Sequence, residues 1–416
     1  MVGSGERYKA LKHLTKNYYM KYFYFFFIFI AFAFCSNAQT DAKIVIGTID
    51  SIQSKILNEK RKFRIYVPAA SSVTASGKQR YPIIYSIDGD ENYFTMLTAT
   101  VRFLSTIYDP VIPEHIVVNI MDTDRTRDCT PTHRAYEPYY ATSGGGENFI
   151  SFIDKELIPY IDAKYPTTTN RTITGGSLAG LISMQVFLHH NQLFNSYIPS
   201  DPSFWWDDEL TVKQAEKILA NTKYKGTSLF IGIANNIPTG WDINTVEKDT
   251  SEASGHIRTI LKMKKLLEKN KDNGLNFQSN YYNNETHASI GLMTAYDALR
   301  FIYKDYAITE KDITDTTVNL LDKLKTNYAY YSTEPTETKV NDVGYWALYL
   351  KQFKKAAELF NYNLDKHPES YKVYVALGDY YAAIDDKPKA IANYKKSLAI
   401  EEIADIRKKL EKVEGK

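Results

Sequence analysis

Gly175, Gly176, Ser177, Leu178, Ala179 and Gly180 stand between a segment of strand character, RTITGG, and an apolar stretch of helical length. That is the setting of a nucleophile elbow, where a serine sits on a sharp strand-to-helix turn with its hydroxyl exposed. The residues two before and two after such a serine must be small, because strand and helix nearly touch there. Gly175 and Ala179 meet that demand, with alanine at a place where glycine is more usual. A Gly-rich turn with an incidental serine is the plain alternative, and the flanking strand and helix weigh against it.

A serine nucleophile needs a base, and His287 follows the last strand-like segment, FQSNYY, just ahead of a helix that begins near Ser289. That is its place if the chain order is serine, acid, histidine. His13 falls in the leader, while His189, His190, His256 and His367 lie in helices or in the C-terminal region and read as structural or solvent-facing. His115 opens a strand, and His133, in the loop CTPTHRAYEPYY, is a substrate-contact candidate against a surface-loop alternative. The acid is expected after the strand SLFIGIAN, where two aspartates compete. Asp242, in IPTGWDIN, has no local structural duty and is favoured, whereas Asp249 with Glu252 resembles a helix capping box and Glu285 is a more distant third choice. The oxyanion would be held by the backbone N–H of Leu178 and by that of Gly89 or Asp90, just after the strand YPIIYSI. Neither HExxH nor paired CxxC is present, so no metal and no cofactor is expected, and SGGG at Ser143–Gly146 lacks the lysine of a phosphate loop.

Several elements must position these residues. KFRIYVP, YPIIYSIDG, HIVVNIMD, RTITGG, SLFIGIAN and FQSNYY read as strands, alternating with helical stretches at Glu147–Lys164, Leu178–Asn191, Asp249–Lys269 and Ser289–Tyr306. Such alternation predicts an α/β domain with a mostly parallel central sheet flanked by helices, closing near residue 306. With 416 residues, 44% hydrophobic and 24% charged, the chain can fill a large core. The formal net charge of +2 argues against nucleic acid as a partner.

The ends of the chain read differently. Four lysines precede the apolar run Tyr22–Phe34, which is short for a membrane span, and small residues flank Asn37. Residues 1–38 are therefore expected to be a signal peptide cut between Ala38 and Gln39, giving a secreted or periplasmic protein without a stable membrane span. A lipid anchor on Cys35 ranks second because bulky Phe34 precedes it, and Met20 is an alternative start. Loss of Cys35 would leave Cys129 without an internal disulfide partner. Beyond the domain at 43–306, residues 307–339 read as a polar linker with a connector helix at Val318–Tyr331. Residues 340–416 repeat with a period of 34, pairing Gly344 with Gly378, Ala356 with Ala390 and Phe360 with Tyr394. Two helix pairs and a capping helix follow from that, with the aromatic expected between neighbouring units, and the pattern resembles tetratricopeptide repeats. Two units fall short of the roughly three that stand alone, so they should lean on the connector or the first domain. A protein or peptide partner in their groove and an intramolecular brace are both open readings.

Taken together, LNEKRKFRIYVP, YPIIYSIDGDENY, VVNIMDTDRTRDCTPTH, ELIPYIDAKYPTTTNRTITGGSLAG, LFNSYIPSDPSFWWDD and NETHASI resemble, in that order, the putative esterase family of α/β-hydrolases. That family includes siderophore, feruloyl and acetyl-xylan esterases and S-formylglutathione hydrolase. The resemblance covers about 43–306 and implies the α/β-hydrolase fold, with Ser177 as nucleophile and His287 as base. It leaves the acid open. The family often has GHSLGG where Gly176 and Ala179 depart, and DHGSV where Thr286 and Ala288 depart. Trp205 and Trp206 match a segment that commonly borders the substrate pocket, although two core tryptophans are the plainer reading.

The expected activity is cleavage of a small-molecule or carbohydrate-linked carboxylic ester through an acyl-enzyme that water hydrolyses. An alcohol arriving first would make the same residues an acyltransferase. An inactive hydrolase-fold scaffold working through the repeats is the alternative of a different class, and the intact serine and histidine argue against it.

Overall fold

A computed structural model describes residues 44–69, 73–74, 77–107, 110–121, 124–134 and 136–416. The expected leader, its cleavage site and Cys35 lie outside the described residues. Among the described residues, no helix is long and apolar enough to cross a membrane.

Eight strands form one sheet: β1 (Thr48–Ser54), β2 (Glu59–Tyr66), β3 (Tyr81–Ile87), β4 (Ile116–Ile120), β5 (Thr167–Gly176), β6 (Ser196–Ser200), β7 (Ser228–Ala234) and β8 (Asn276–Tyr282). Their order across the sheet is β1-β2-β4-β3-β5-β6-β7-β8. β2 pairs antiparallel with β1 and β4, and every other neighbour pair is parallel. The central strands β3, β4, β6 and β7 are buried along their whole length, as strands covered on both faces must be. The mostly parallel sheet flanked by helices is the one expected from the alternating segments, and it is the α/β-hydrolase fold that the family resemblance implies.

Helices cover both faces. In the α/β part they are α1 (Glu91–Thr106), α2 (Gly146–Phe152, continuing through a π turn to Lys164), α3 (Leu178–His189), α4 (Trp206–Ile218), α5 (Gly255–Lys269) and α6 (Gly291–Ile302). The π turn spans Ile153–Leu157, just ahead of Pro159, whose missing N–H cannot continue the regular hydrogen-bond ladder. α3 is apolar all round and almost entirely buried, so it is fixed on every side.

The sequence reading omitted β1, β6, α1 and α4. β6, SYIPS, is short and carries Pro199, which argues against a central strand. It is nonetheless central, and its pairing with β7 is interrupted between Tyr197 and Ser200, around the residue that has no N–H to give.

After the α/β part come α7 (Leu320–Tyr330), α8 (Glu337–Tyr349), α9 (Phe353–Lys366), α10 (Tyr371–Ala383), α11 (Lys387–Ile400) and α12 (Ala404–Glu414). A Cβ on Gly344 would stand 2.5 Å from the Phe360 ring, and one on Gly378 would stand 2.5 Å from the Tyr394 ring. The aromatic of each 34-residue unit thus packs inside its own helix pair rather than chiefly between units, as expected above; Phe360 also meets Tyr380 edge-on at 6.4 Å. Residues 46–416 form one compact unit, and a single core cluster runs from Ile84 and Phe94 through Tyr303 and Tyr331 to Leu377. Residue 306 is therefore a boundary in sequence pattern but not in packing.

Candidate active site

β5, an interior strand, delivers Ser177 just beyond its carboxyl end. Ser177 has φ 57° and ψ −118°, a conformation that non-glycine residues adopt only when their surroundings enforce it. The enforcement is visible. The Ser177 N–H donates to the Ser200 carbonyl at 3.0 Å, and its carbonyl accepts from Leu181 at 3.0 Å and Ser203 at 3.1 Å. A Cβ on Gly175 would lie 2.6 Å from the Ala179 Cβ, so strand and helix approach as closely as the elbow reading requires. The Ser177 hydroxyl lies 3.1 Å from that of Ser203, a buried residue without a role in the sequence reading.

His287 stands in the turn between β8 and α6, and it lines the same open cleft of about 540 Å³ as Ser177. Its Nδ1 lies 2.5 Å from Asp201 Oδ2. Asp201 follows β6 directly, is 1% exposed and has a φ of 43°. Its Oδ1 accepts from the Ala234 N–H at 3.0 Å, and its Oδ2 also accepts from Asn236 at 2.6 Å and from His256 Nε2 at 2.9 Å. Burial by itself would raise the Asp201 pKa, but hydrogen bonds from His256 and His287, attraction to His256 and the Ala234 amide together hold it well below the usual carboxylate range. An ionised carboxylate only accepts, so His287 presents an N–H on Nδ1 to Asp201.

The carboxylate beside His287 is therefore Asp201, not Asp242 or Asp249. Asp242 closes its own loop, accepting from Asn244 at 2.8 Å and Thr245 at 3.0 Å. Asp249 turns back on Ser251, with contacts of 3.0 and 2.7 Å, instead of capping α5, and Glu285 accepts from Ser289 at 2.7 Å. The sequence pattern points to a carboxylate after β7, whereas the one that meets His287 stands at the end of β6, a strand the pattern does not show. SDPSFWW, which carries both Asp201 and Ser203, held the missing signal.

Gly89 and Asp90 line the cleft, and Leu178 is the first residue of α3, so its N–H has no partner within the helix. The Asp90 side chain caps α1, accepting from Tyr93 at 2.8 Å. Arg64 on β2 donates to the Gly89 carbonyl at 3.1 Å and to Asn119 at 3.0 Å. A trans peptide directs its C=O and N–H oppositely, so this contact fixes the direction of the Asp90 N–H. The cleft also carries an ion pair of Asp88 and Arg125. Arg125 opens a short helix anchored by Asp128, whose Oδ2 lies 2.6 Å from the buried Arg61 of β2.

His133, Trp205 and Trp206 are not among the residues lining this cleft. His133 Nδ1 pairs with the Ser143 carbonyl at 2.9 Å. Trp206 is fully buried, donates to Thr132 at 3.0 Å and packs edge-on against Tyr140, while Trp205 leans on both rings. Both tryptophans thus serve the core.

Among the described residues, Asp201, His256 and His287 form a group whose ligand atoms lie within 4.8 Å of one another. Two tetrahedral zinc ligands stand about 3.3 Å apart, from bond lengths near 2.0 Å. The observed separations of 2.5 and 2.9 Å are those of hydrogen bonds to one carboxylate oxygen.

The family model described as Putative esterase matches residues 54–291, over half of the chain. The ferri-bacillibactin esterase of Bacillus subtilis is 31% identical over 193 residues, covering 42% of this chain and 66% of that protein, just under two thirds of its length. The crystal structure of an IroE-like serine hydrolase from Shewanella oneidensis aligns with a TM-score of 0.65 and 28% identity, covering 77% of this chain and 99% of that one. An uncharacterised protein from Capnocytophaga ochracea shares the fold over 89% of this chain and 100% of its own, at a TM-score of 0.60 and 18% identity. The chain belongs to the putative esterase family and has an α/β-hydrolase fold.

Proposed function

We propose that the protein is a serine esterase in which Ser177 attacks the ester carbonyl, His287 takes and returns the proton, and Asp201 orients the imidazole. The observation that carries this reading is the pairing of His287 Nδ1 with buried Asp201 at 2.5 Å, in a cleft that also holds the strained Ser177. Attack turns the carbonyl oxygen into an oxyanion, which the N–H groups of Leu178 and Asp90 or Gly89 would receive. Collapse expels the alcohol, protonated by His287, and leaves an acyl group on Ser177 that water removes by the same steps in reverse. The substrate class is a small-molecule carboxylic ester; the relative named a ferri-bacillibactin esterase makes siderophore esters the first natural substrates to try. Secretion accords with the leader pattern before Gln39, and N-terminal sequencing of the exported protein tests it. The C-terminal helices fit a brace better than a partner-binding module, because their core is continuous with that of the α/β part.

The experiment is hydrolysis of p-nitrophenyl acetate and butyrate by the chain from Gln39 onward, beside Ser177→Ala at matched folding. Turnover that falls at least about 10³-fold in the variant, with phosphonate labelling of Ser177, supports the esterase. No turnover above the variant and no labelling would return the weight to an inactive scaffold.

A further inference from the structure

We propose that His256 is a positioning residue for the Ser177–His287 pair, a second histidine that holds Asp201 in the one orientation from which it can serve His287. This rests on the esterase reading above.

Asp201 Oδ2 receives three donors: His287 Nδ1 at 2.5 Å, Asn236 Nδ2 at 2.6 Å and His256 Nε2 at 2.9 Å. Oδ1 receives the Ala234 N–H at 3.0 Å. A carboxylate held by a single imidazole is free to turn about its own bond and exchange its oxygens. Here donors from three separate segments pin its plane, leaving Oδ2 facing His287.

His256 is placed to do this rigidly. It lies in the first turn of α5, where its carbonyl accepts from Thr259 at 2.8 Å, and its ring meets that of His287 edge-on at 5.2 Å with an interplanar angle of 86°. Because the carboxylate only accepts, His256 must carry a proton on Nε2 to make this bond, as His287 must on Nδ1. His256 is not among the residues lining the cleft that holds Ser177, and in this role it acts through Asp201. Its side chain is 20% exposed and Asp201 is 1% exposed, so the donor is spent on the carboxylate and not on bulk water.

The test compares His256→Gln, His256→Leu and His256→Phe in the full chain from Gln39 onward, with folding checked by circular dichroism and thermal melting. Glutamine carries an N–H donor near the place of Nε2; leucine and phenylalanine keep bulk without a donor. Misplacing a reacting group by about 1 Å costs on the order of 100-fold, so kcat should fall about 10- to 100-fold in the Leu or Phe variant with KM unchanged. Glutamine should restore kcat to within about threefold of wild type. A second readout needs no turnover: the downfield proton resonance of His287 Nδ1 should persist in wild type and the Gln variant and be lost in the Leu and Phe variants. Leu or Phe variants with wild-type kcat and an intact resonance would overturn the proposal, as would a Gln variant as impaired as they are. If wild type itself proved inactive and unlabelled at Ser177, the esterase reading would fail while the resonance still decided what His256 does to His287.

Discussion

Asp201 Oδ2 lies 2.5 Å from His287 Nδ1 although the two residues are 86 positions apart in the chain, one at the end of β6 and the other in the turn after β8. Replacing the carboxylate by an amide keeps the shape but lets a donor face Nδ1, so the imidazole would be driven to the wrong tautomer. Asp201→Asn should lower kcat for p-nitrophenyl butyrate by roughly 10³- to 10⁴-fold. Asp242→Asn and Asp249→Asn should stay within about threefold of wild type, since each aspartate is engaged in its own loop. Steady-state kinetics on the three variants would separate the assignments.

The difference between Asp201 and Asp242 marks where the sequence stops being legible. Ser177 and His287 sit beside long, strongly patterned segments, so their neighbourhoods could be read from the order of apolar runs. β6 has five residues, one of them proline, and follows α3 after a six-residue turn, which gives little periodicity to read. Its identity comes from the sheet, where β5 and β7 supply partners on both sides. His256 fails for the same reason. On a helix face it looks solvent-facing, and only the tertiary approach of α5 to the end of β6 gives it a partner. The C-terminal helices could be read from the recurrence of Gly344 and Gly378 at matching places, but their union with the α/β core is a matter of packing between distant segments.

The elbow makes a steric prediction that separates two adjacent glycines. Gly175→Ala would push a methyl to 2.6 Å from the Ala179 Cβ and 2.9 Å from its backbone, which cannot yield without parting β5 from α3. It should cost about 1–3 kcal/mol. Gly176→Ala meets nothing closer than the Ser200 carbonyl at 3.7 Å, an ordinary contact, and should change stability by less than about 0.5 kcal/mol. Urea denaturation of both variants checks the contrast.

Arg64 gives a prediction about the oxyanion site. Its guanidinium holds the Gly89 carbonyl at 3.1 Å from the side away from the Asp90 N–H, while its second bond, to Asn119 at 3.0 Å, keeps it there. Arg64→Met should let that peptide turn, and removal of an aligned oxyanion donor costs about 10²- to 10³-fold in kcat. A partial loss of about 10-fold, with KM unchanged, is expected when the donor is loosened and not deleted. An unchanged kcat would mean that the Asp90 peptide is fixed without Arg64.

Acid stability follows from carboxylates that the fold keeps charged. Burial opposes ionisation of Asp50 on β1, but Lys164, the Ser51 N–H, Tyr160 and Tyr165 hold its pKa at about 2. The unfolded chain should protonate it near pH 3.9. The folded value is the lower one, so the stabilisation is complete above about pH 4 and is lost as pH falls toward about 2. Asp201 contributes in the same sense. Asp50→Asn should therefore flatten the fall in stability across that window and cost roughly 1 kcal/mol at pH 7, a modest figure because Lys164 is 48% exposed. Denaturation curves from pH 6 to pH 2.5 would give the slope for each protein.

The union of the C-terminal helices with the α/β core leads to a prediction about truncation. The Tyr331 hydroxyl donates to the Ile302 carbonyl at 3.1 Å, and its ring packs on Tyr303 with centroids 4.6 Å apart. Tyr303 in turn reaches His115 at 2.7 Å and Asn170 at 3.2 Å, inside the α/β part. Farther on, Lys355 Nζ of α9 donates to the carbonyls of Asp312, Ile313 and Asp315 at 3.1, 2.8 and 2.6 Å, closing the short helix that follows the last strand and helix of the hydrolase. Cutting the chain after Tyr306 would bare Tyr303 and Tyr306 where the rings of Tyr328 and Tyr331 pack on them. Each large aromatic newly exposed costs about 1.5–3 kcal/mol, so two or three of them equal a large part of a domain's stability. That truncation should yield aggregated or unfolded protein. Removing only α11 and α12 takes away the separate small cluster of Ala390, Tyr394, Ile406 and Leu410. The remaining chain should fold and retain esterase turnover, with a lowered melting temperature. Size-exclusion chromatography and melting curves of the two truncations would distinguish a brace from an independent module, since a module would leave the 44–306 segment folded by itself.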